Sequence, residues 1–387
     1  MPGTSQPCIL LHQDTMVSIR IPERDDGTLC ILFSLISTKI VFLLVNIRLN
    51  LWLKSPVYCL RYSLKIRMTK NGITCISDGK TVNIDPKTAL SGSINFVSHA
   101  HSDHLPSRSD GVVLTTLETR EIATLRGKDL SNHVEYLDEF GLYDSGHILG
   151  SRGLLFEDLF YTGDICTRHR GFLKGATIPK CKVLITECTF GRPEFIFPSL
   201  DEILKKVNEL ISELYHKGRP VLLLGYPLGK AQTITHLFGH WEPLYYHDSV
   251  KQMNDLHRKL GVSLKDGIGH TDAQNKGLLD KKPWVMVCPM MSDNATFVKD
   301  MKSRYGAVTI GFSGWAKSQS MPFARNNDYA VPLSDHCDYN ELIDLVKRSG
   351  AEKIYTVHGF VTEFASDLVK MGYDAKPLSE NSLDNFI

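Results

Sequence analysis

The 387-residue sequence has no C-x-x-C pair, no internal repeat, no low-complexity tract and almost no net charge. Its nine cysteines (Cys8, Cys30, Cys59, Cys75, Cys166, Cys181, Cys188, Cys288 and Cys337) are scattered and odd in number. A secreted disulfide framework needs denser, evenly counted cysteines, so these read as reduced thiols of a cytoplasmic protein. With 44 basic against 43 acidic side chains, the chain is no all-over basic nucleic-acid binder, and any such partner must be gripped by a local patch. What is present is ordinary: 42% hydrophobic and 22% charged residues exclude disorder and collagen. The length allows one large domain or two of medium size.

Residues 1–67 differ from the rest. Leu29 to Leu53 is strongly apolar, and Arg48, Lys54, Arg61, Lys65 and Arg67 come without an intervening acid. The run is long enough for a membrane anchor with the following chain in the cytoplasm. Lys39 in its middle opposes insertion by roughly 2.5 to 3.5 kcal/mol. It has neither the basic flank nor the small-residue cleavage site of a signal peptide. The other reading is that translation starts at Met68, where regular patterning begins: ITCIS, a turn at Asp78-Gly79, then TVNID. A membrane partner is expected only if residues 29–53 are genuine.

Beyond Met68 the pattern is strand-rich. Strands are predicted over 73–77, 81–84, 94–98, 112–115, 153–156, 159–162 and 183–187, with turns at Asp78-Gly79 and Glu157-Asp158. An α/β alternation follows: helix 200–216, strand 220–225, helix 229–238, strand 285–288, helix 294–302, strand 308–312. The end reads helix 339–348, strand 353–357, helix 362–371.

The run that carries chemistry is His99-Ala100-His101-Ser102-Asp103-His104, directly after the apolar INFV. Four ligand-type side chains lie within six residues. On an extended backbone His99 and His101 share a face and point to one place, while Asp103 and His104 turn to a second. A lone histidine is usually a satisfied core residue, but this density requires partners or metal.

HxHxDH after a strand resembles the signature of the metallo-β-lactamase fold. His147 in SGHILGS, Asp164 in FYTGDI and Asp85 in NIDP resemble, in order, its third ligand motif, its bridging carboxylate and its early supporting aspartate. The resemblance implies an αββα sandwich with a two-metal site between the sheets. One zinc falls to His99, His101, His147 and Asp164, the other to Asp103, His104, Asp164 and His358, with Asp85 orienting ligands behind them. Mn²⁺ is a candidate substitute. Water held between two such ions has its pKa lowered to about 7.

About 140 residues of α/β pattern separate Thr186-Glu187-Cys188 from PLSDHCDY and TVHG. This layout resembles the β-CASP nucleases, whose cap domain is inserted in the lactamase core and whose motifs A, B and C fall on Glu187, His336 and His358. The implied domains are an extension over 1–67, core over 68–190, cap over 191–331 and the remaining core over 332–387. Cys188 and Cys337 stand where relatives carry other small residues.

The resemblance makes His336 the general acid for the leaving oxygen, Glu187 its orienting carboxylate and Asp103 a further catalytic candidate. Lys230, at the start of a predicted helix, and Ser313, in GFSGW, are candidate contacts to a substrate phosphate. Trp315 reads as core or as a base-stacking residue. Residues 191–331 carry 18 basic and 14 acidic side chains, which permits nucleic acid.

GYPLGKAQ, GFSGW and PLSDHCDY together look like the ligase-associated DNA exonucleases and mRNA 3′-end processing-like proteins. The expected activity is therefore a DNA exonuclease, with a DNA ligase as implied partner. An RNA-processing nuclease, which His358 at motif C favours, is the alternative, and a small-molecule metallo-hydrolase a more distant one.

Overall fold

The computed structural model describes residues 10–12, 15–17, 64–318, 327–379 and 384–386. The apolar run 29–53 and Cys8, Cys30 and Cys59 lie outside the described residues. By its contacts the chain divides into two units, 1–59 and 60–387. In the first, 10–12 and 15–17 pair as an antiparallel hairpin. All that follows concerns the second. Among the described residues no helix is long and apolar enough to cross a membrane.

Among the described residues of this unit, regular structure begins four residues before Met68. Strand β1 (Leu64–Thr69) pairs antiparallel with β2 (Gly72–Ser77), and its Leu64 and Ile66 are core residues. The expectation that patterning starts only after Met68 is thus corrected: alternating burial in 64–67 fixes that register, since a one-residue slip would turn both apolar side chains outward. From β2 the chain turns at Asp78-Gly79, both at positive φ as a tight hairpin requires, into β3 (Lys80–Ile84). Strands β4 (Ile94–Phe96), β5 (Val113–Leu114) and, after helix α1 (Leu117–Leu125), β6 (His133–Val134) extend this sheet. Its order is β6-β5-β4-β3-β2-β1, followed by 384–386 at the far edge.

The second sheet starts with β7 (Phe140–Asp144), β8 (Arg152–Phe156), β9 (Leu159–Tyr161) and β10 (Val183–Cys188). Phe96, Ile84 and Val82 of the first sheet share a core with Leu154, Tyr161 and Ile185 of the second, so the two pack face to face.

The chain then leaves this sandwich for a separate doubly wound layer. Helix α2 (Leu200–His216) starts at a capping box between Ser199 and Glu202 and buries Ile203, Val207, Ile211 and Leu214. Strand β11 (Val221–Gly225), helix α3 (Lys230–Phe238), β12 (Leu244–Tyr246), helix α4 (Asp248–Lys259), β13 (Ile268–Gly269), β14 (Val285–Pro289), helix α5 (Thr296–Tyr305), β15 (Val308–Phe312) and β16 (Tyr329–Val331) complete it. All six strands are parallel, in the order β13-β12-β14-β11-β15-β16. The wholly buried VLLLG of β11 is what a strand covered on both faces requires.

The chain returns through helix α6 (Tyr339–Ser349), strand β17 (Lys353–Gly359), helix α7 (Val361–Lys370) and strand β18 (Asp374–Pro377). Strand β17 lies parallel to β10, and β18 flanks it. Helices α6 and α7 cover the outer face of the second sheet through Leu342, Leu345, Phe364 and Leu368, while Ala123 of α1 belongs to a cluster on the first. The molecule is therefore an αββα sandwich carrying an inserted α/β cap.

Candidate metal centre and active site

The histidine run does not continue its strand. Strand β4 ends at Phe96, and 101–104 is a turn in which His104 N donates to His101 O at 3.1 Å. His99 and His101, two residues apart, still converge at 3.1 Å past the strand's end, and the turn carries Asp103 and His104 to a second place. Their bearing is set from behind. Asp85, itself at φ 44°, accepts from Ser98 N, Ser98 Oγ and Tyr161 Oη at 2.7 Å each and from His104 Nδ1 at 2.8 Å. Gly163 at φ 57° brings the next residue, Asp164, in over Ser98: a Cβ there would lie 2.9 Å from Ser98 Cβ.

Four donor atoms then meet. His101 Nδ1 lies 3.1 Å from both His99 Nε2 and His147 Nε2, and Asp164 Oδ2 is 3.4 and 3.5 Å from the latter two. A tetrahedron around zinc, with bonds of about 2.0 to 2.1 Å, has edges of about 3.3 Å. These distances fit it. The remote ring nitrogens are engaged elsewhere: His147 Nδ1 donates to Asp335 O at 3.0 Å, His99 Nδ1 meets Ser98 Oγ at 3.0 Å, and His101 Nε2 reaches Leu228 O at 3.3 Å. Such outer bonds fix the tautomer that leaves the inner lone pair free.

The other oxygen of Asp164 faces a second group. Oδ1 is 3.6 Å from His104 Nε2, which is 3.7 Å from Asp103 Oδ2. The His358 ring lies 5.4 Å from that of His104, centroid to centroid, and His358 sits at φ 53° where β17 ends. Asp103 and His358 are the exposed members, and His104 is buried.

Beside these, Glu187 Oε1 meets His336 Nδ1 at 2.7 Å and accepts from Ile165 N at 2.9 Å, while Oε2 accepts from Thr189 N at 3.0 Å. Both oxygens of Glu187 are thus engaged, one of them on His336. The His336 ring is 4.6 Å from that of His147. Asp164, Glu187 and His336 also offer atoms within 4.8 Å of one another.

Charge in the ion-free protein is divided between the two groups. Burial, then neighbouring positive charge, holds His101 down at about 3 and His147 well below its usual range. Burial also lowers His104, but the carboxylates of Asp164 and Asp85 outweigh it and push it up to about 10. Burial raises Asp164, yet His104 and His99 hold it well below the usual carboxylate value. At neutral pH the imidazoles of the first group are thus neutral, whereas His104 would have to shed a proton to hold a metal. Zinc binding at neutral pH is expected to release about one proton from the histidines, beside any lost by zinc-bound water, with affinity rising as pH increases. Calorimetry in buffers of different ionisation enthalpy measures this, and release of three protons would overturn the division.

A cavity of about 440 Å³ opens over both groups. Its other wall comes from the cap: Tyr226 to Lys230 follow β11 and Ser313 to Trp315 follow the neighbouring β15. Ligand crevices of parallel sheets form at such carboxyl ends, where strand order reverses. Lys230 and Ser313 line the cavity but are almost fully buried. Lys230 Nζ donates to Leu333 O at 2.6 Å and pairs with Asp335, and Ser313 Oγ caps the turn at Trp315 N. The α3 N-terminus, a candidate anion site, has Gly229 N bonded to Gln232 Oε1 at 2.8 Å. Trp315 packs against Phe190, Phe195 and Phe360, so its indole is mainly core. Sequence reasoning missed Ser98, Tyr161, Arg170 and Asp335. Only their long-range partners identify them.

Sandwich, cap and converging histidine and aspartate side chains fit the metallo-β-lactamase fold with a cap domain. Residues 329–376 match the Zn-dependent metallo-hydrolase RNA specificity domain. The chain is 28% identical over 306 residues to a protein of Opitutus terrae named "Probable DNA ligase", covering 74% of this chain and 29% of that protein. To an RNase J-like protein of Methanocaldococcus jannaschii it is 25% identical over 340 residues, 68% of this chain and 80% of the relative. To transcription termination factor FttA of the same organism it is 28% identical over 366 residues, 68% of this chain and 58% of the relative. In its fold and in these matches the chain is similar to the β-CASP group of metallo-β-lactamase-fold nucleases.

Since Asp85 gathers four donors behind the ligands, Asp85→Ala is expected to weaken zinc binding about 10- to 100-fold. Competition with a chromophoric chelator reads this out, and unchanged affinity would remove Asp85 from the centre.

Proposed function

We propose that the chain hydrolyses phosphodiester bonds of nucleic acid using two zinc ions, acting as a DNA exonuclease. The observation that carries this is Asp164, whose two carboxylate oxygens face two separate donor groups, His99/His101/His147 on one side and His104/Asp103 on the other. His358 completes the second group in this reading. When bound, a zinc pair supplies Lewis-acid polarisation of a phosphate and a water of lowered pKa. The chain's own residues do the rest. His336, pushed up to about 9 because Glu187 and Asp164 outweigh the effect of its burial, holds a proton at neutral pH for the leaving oxygen. Glu187 keeps the Nδ1 proton in place, so that Nε2 is the nitrogen that delivers. The cap wall excludes water and orients the strand.

Similarity over 74% of the chain to a protein named as a DNA ligase supports DNA and, with it, a ligase as working partner. The domain described by RNA specificity, and the RNase J-like relative, support RNA as the second reading. Six free, buried cysteines among the described residues support a reducing, cytoplasmic setting. Incubation with zinc or manganese and end-labelled single- and double-stranded DNA and RNA tests all of this. The expected result is stepwise shortening of DNA; RNA cleavage would shift the assignment, and turnover of a thioester alone would reject nucleic acid.

A further inference from the structure

Arg170, Lys230 and Asp335 form a buried cluster that the zinc chemistry leaves unused. Their exposures are 1%, 2% and 6%. Asp335 Oδ1 accepts from Arg170 Nη1 at 2.5 Å and lies 2.9 Å from Lys230 Nζ. Arg170 Nη2 donates to the carbonyls of Gly146 and His147 at 2.5 and 3.0 Å, and the carbonyl of Asp335 accepts from His147 Nδ1. Four segments therefore meet in this cluster: the loop after Asp164 and the start of α3 on the Asp335 carboxylate, the loop of the third histidine through Arg170 and the Asp335 carbonyl, and the loop that delivers His336.

The charges are unequal. Two cations share one anion out of water, so removing the anion leaves two like charges buried together, whereas removing Lys230 leaves a matched pair. This asymmetry separates the cluster from an ordinary surface ion pair.

We propose that Asp335 is a positioning residue: held by Arg170 from the core and Lys230 from the cap, it fixes His147 and His336 relative to one another, and Lys230 is the latch of the cap on that loop rather than a ligand of substrate phosphate. The kinetic consequences rest on the nucleolytic reading above; the structural ones do not.

The test compares Asp335→Asn, Lys230→Met and the double variant in thermal unfolding, zinc content and steady-state cleavage. Asp335→Asn is expected to lose about 10- to 100-fold in kcat with KM unchanged, the scale of an outer residue that orients a ligand. Its unfolding midpoint falls, that of Lys230→Met falls much less, and the double variant recovers part of the loss, because contacting charges are not additive. Additive midpoints together with a raised KM and intact kcat in Lys230→Met would overturn the latch. If Asp335→Asn alone does not fold, recovery of folded protein in the double variant supports the proposal, and its failure to fold overturns it. A wild-type protein that cleaves no nucleic acid rejects the nucleolytic reading, while the unfolding midpoints still decide the latch.

Discussion

Asp164→Ala is expected to empty both zinc positions together and to lower cleavage by on the order of 10³-fold or more, the several kcal/mol that a metal contributes to charge stabilisation in the transition state. Both halves of this expectation follow from one side chain. Its Oδ2 stands 3.4 and 3.5 Å from His99 and His147, and its Oδ1 3.6 Å from His104. No other carboxylate among the described residues touches both groups. Removing it also strips His104 of one of the carboxylates, beside Asp85 and Asp103, that keep it charged. Elemental analysis of the purified variant measures the metal, and single-turnover cleavage measures the rate. A variant that retained two zincs would show that Asp164 does not bridge.

His336→Ala is expected to behave in the opposite way, keeping its zinc and slowing turnover by about 10² to 10⁴, the usual contribution of a positioned acid. The distinction matters because Asp164, Glu187 and His336 offer atoms within 4.8 Å of one another, close enough to hold an ion themselves. Geometry argues for the acid: the Nδ1 of His336 is committed to Glu187, which is already bonded to two backbone amides. An acid must be protonated to act, so turnover should fall as pH rises through a value at or below about 9, since bound cations depress a neighbouring imidazolium. That alkaline limb should vanish in the variant. Loss of zinc from His336→Ala would make it a ligand instead.

Much of the scaffold was legible because local signals agreed with the tertiary outcome. Helix α2 occupies 200–216 as its apolar spacing dictates, with Ser199 and Glu202 marking its start. Strand β15 fills 308–312 as its apolar run indicates. Helix α4 escaped notice because it is polar overall: Val250 and Met253 share its buried face with Asn254 and His257. Strand β18, with its Asp, Lys and Pro, is held by pairing to β17 and not by propensity. At the site, His99 to His104 stood out by density alone, and Asp164, His336 and His358 by resemblance to known motifs. Arg170 and Asp335 did not. Each looks like an ordinary charge, and their partnership spans 165 residues of chain.

The position of β17 has a consequence for the nascent protein. The second sheet keeps an open edge at β10 until 353–359, drawn from beyond the cap, slots in beside it, and that same segment brings His358. Domains are completed as their residues leave the ribosome, at about 5 to 20 residues per second. A partly synthesised chain therefore lacks both the strand that closes this sheet and His358 until residues 353–359 have left the ribosome.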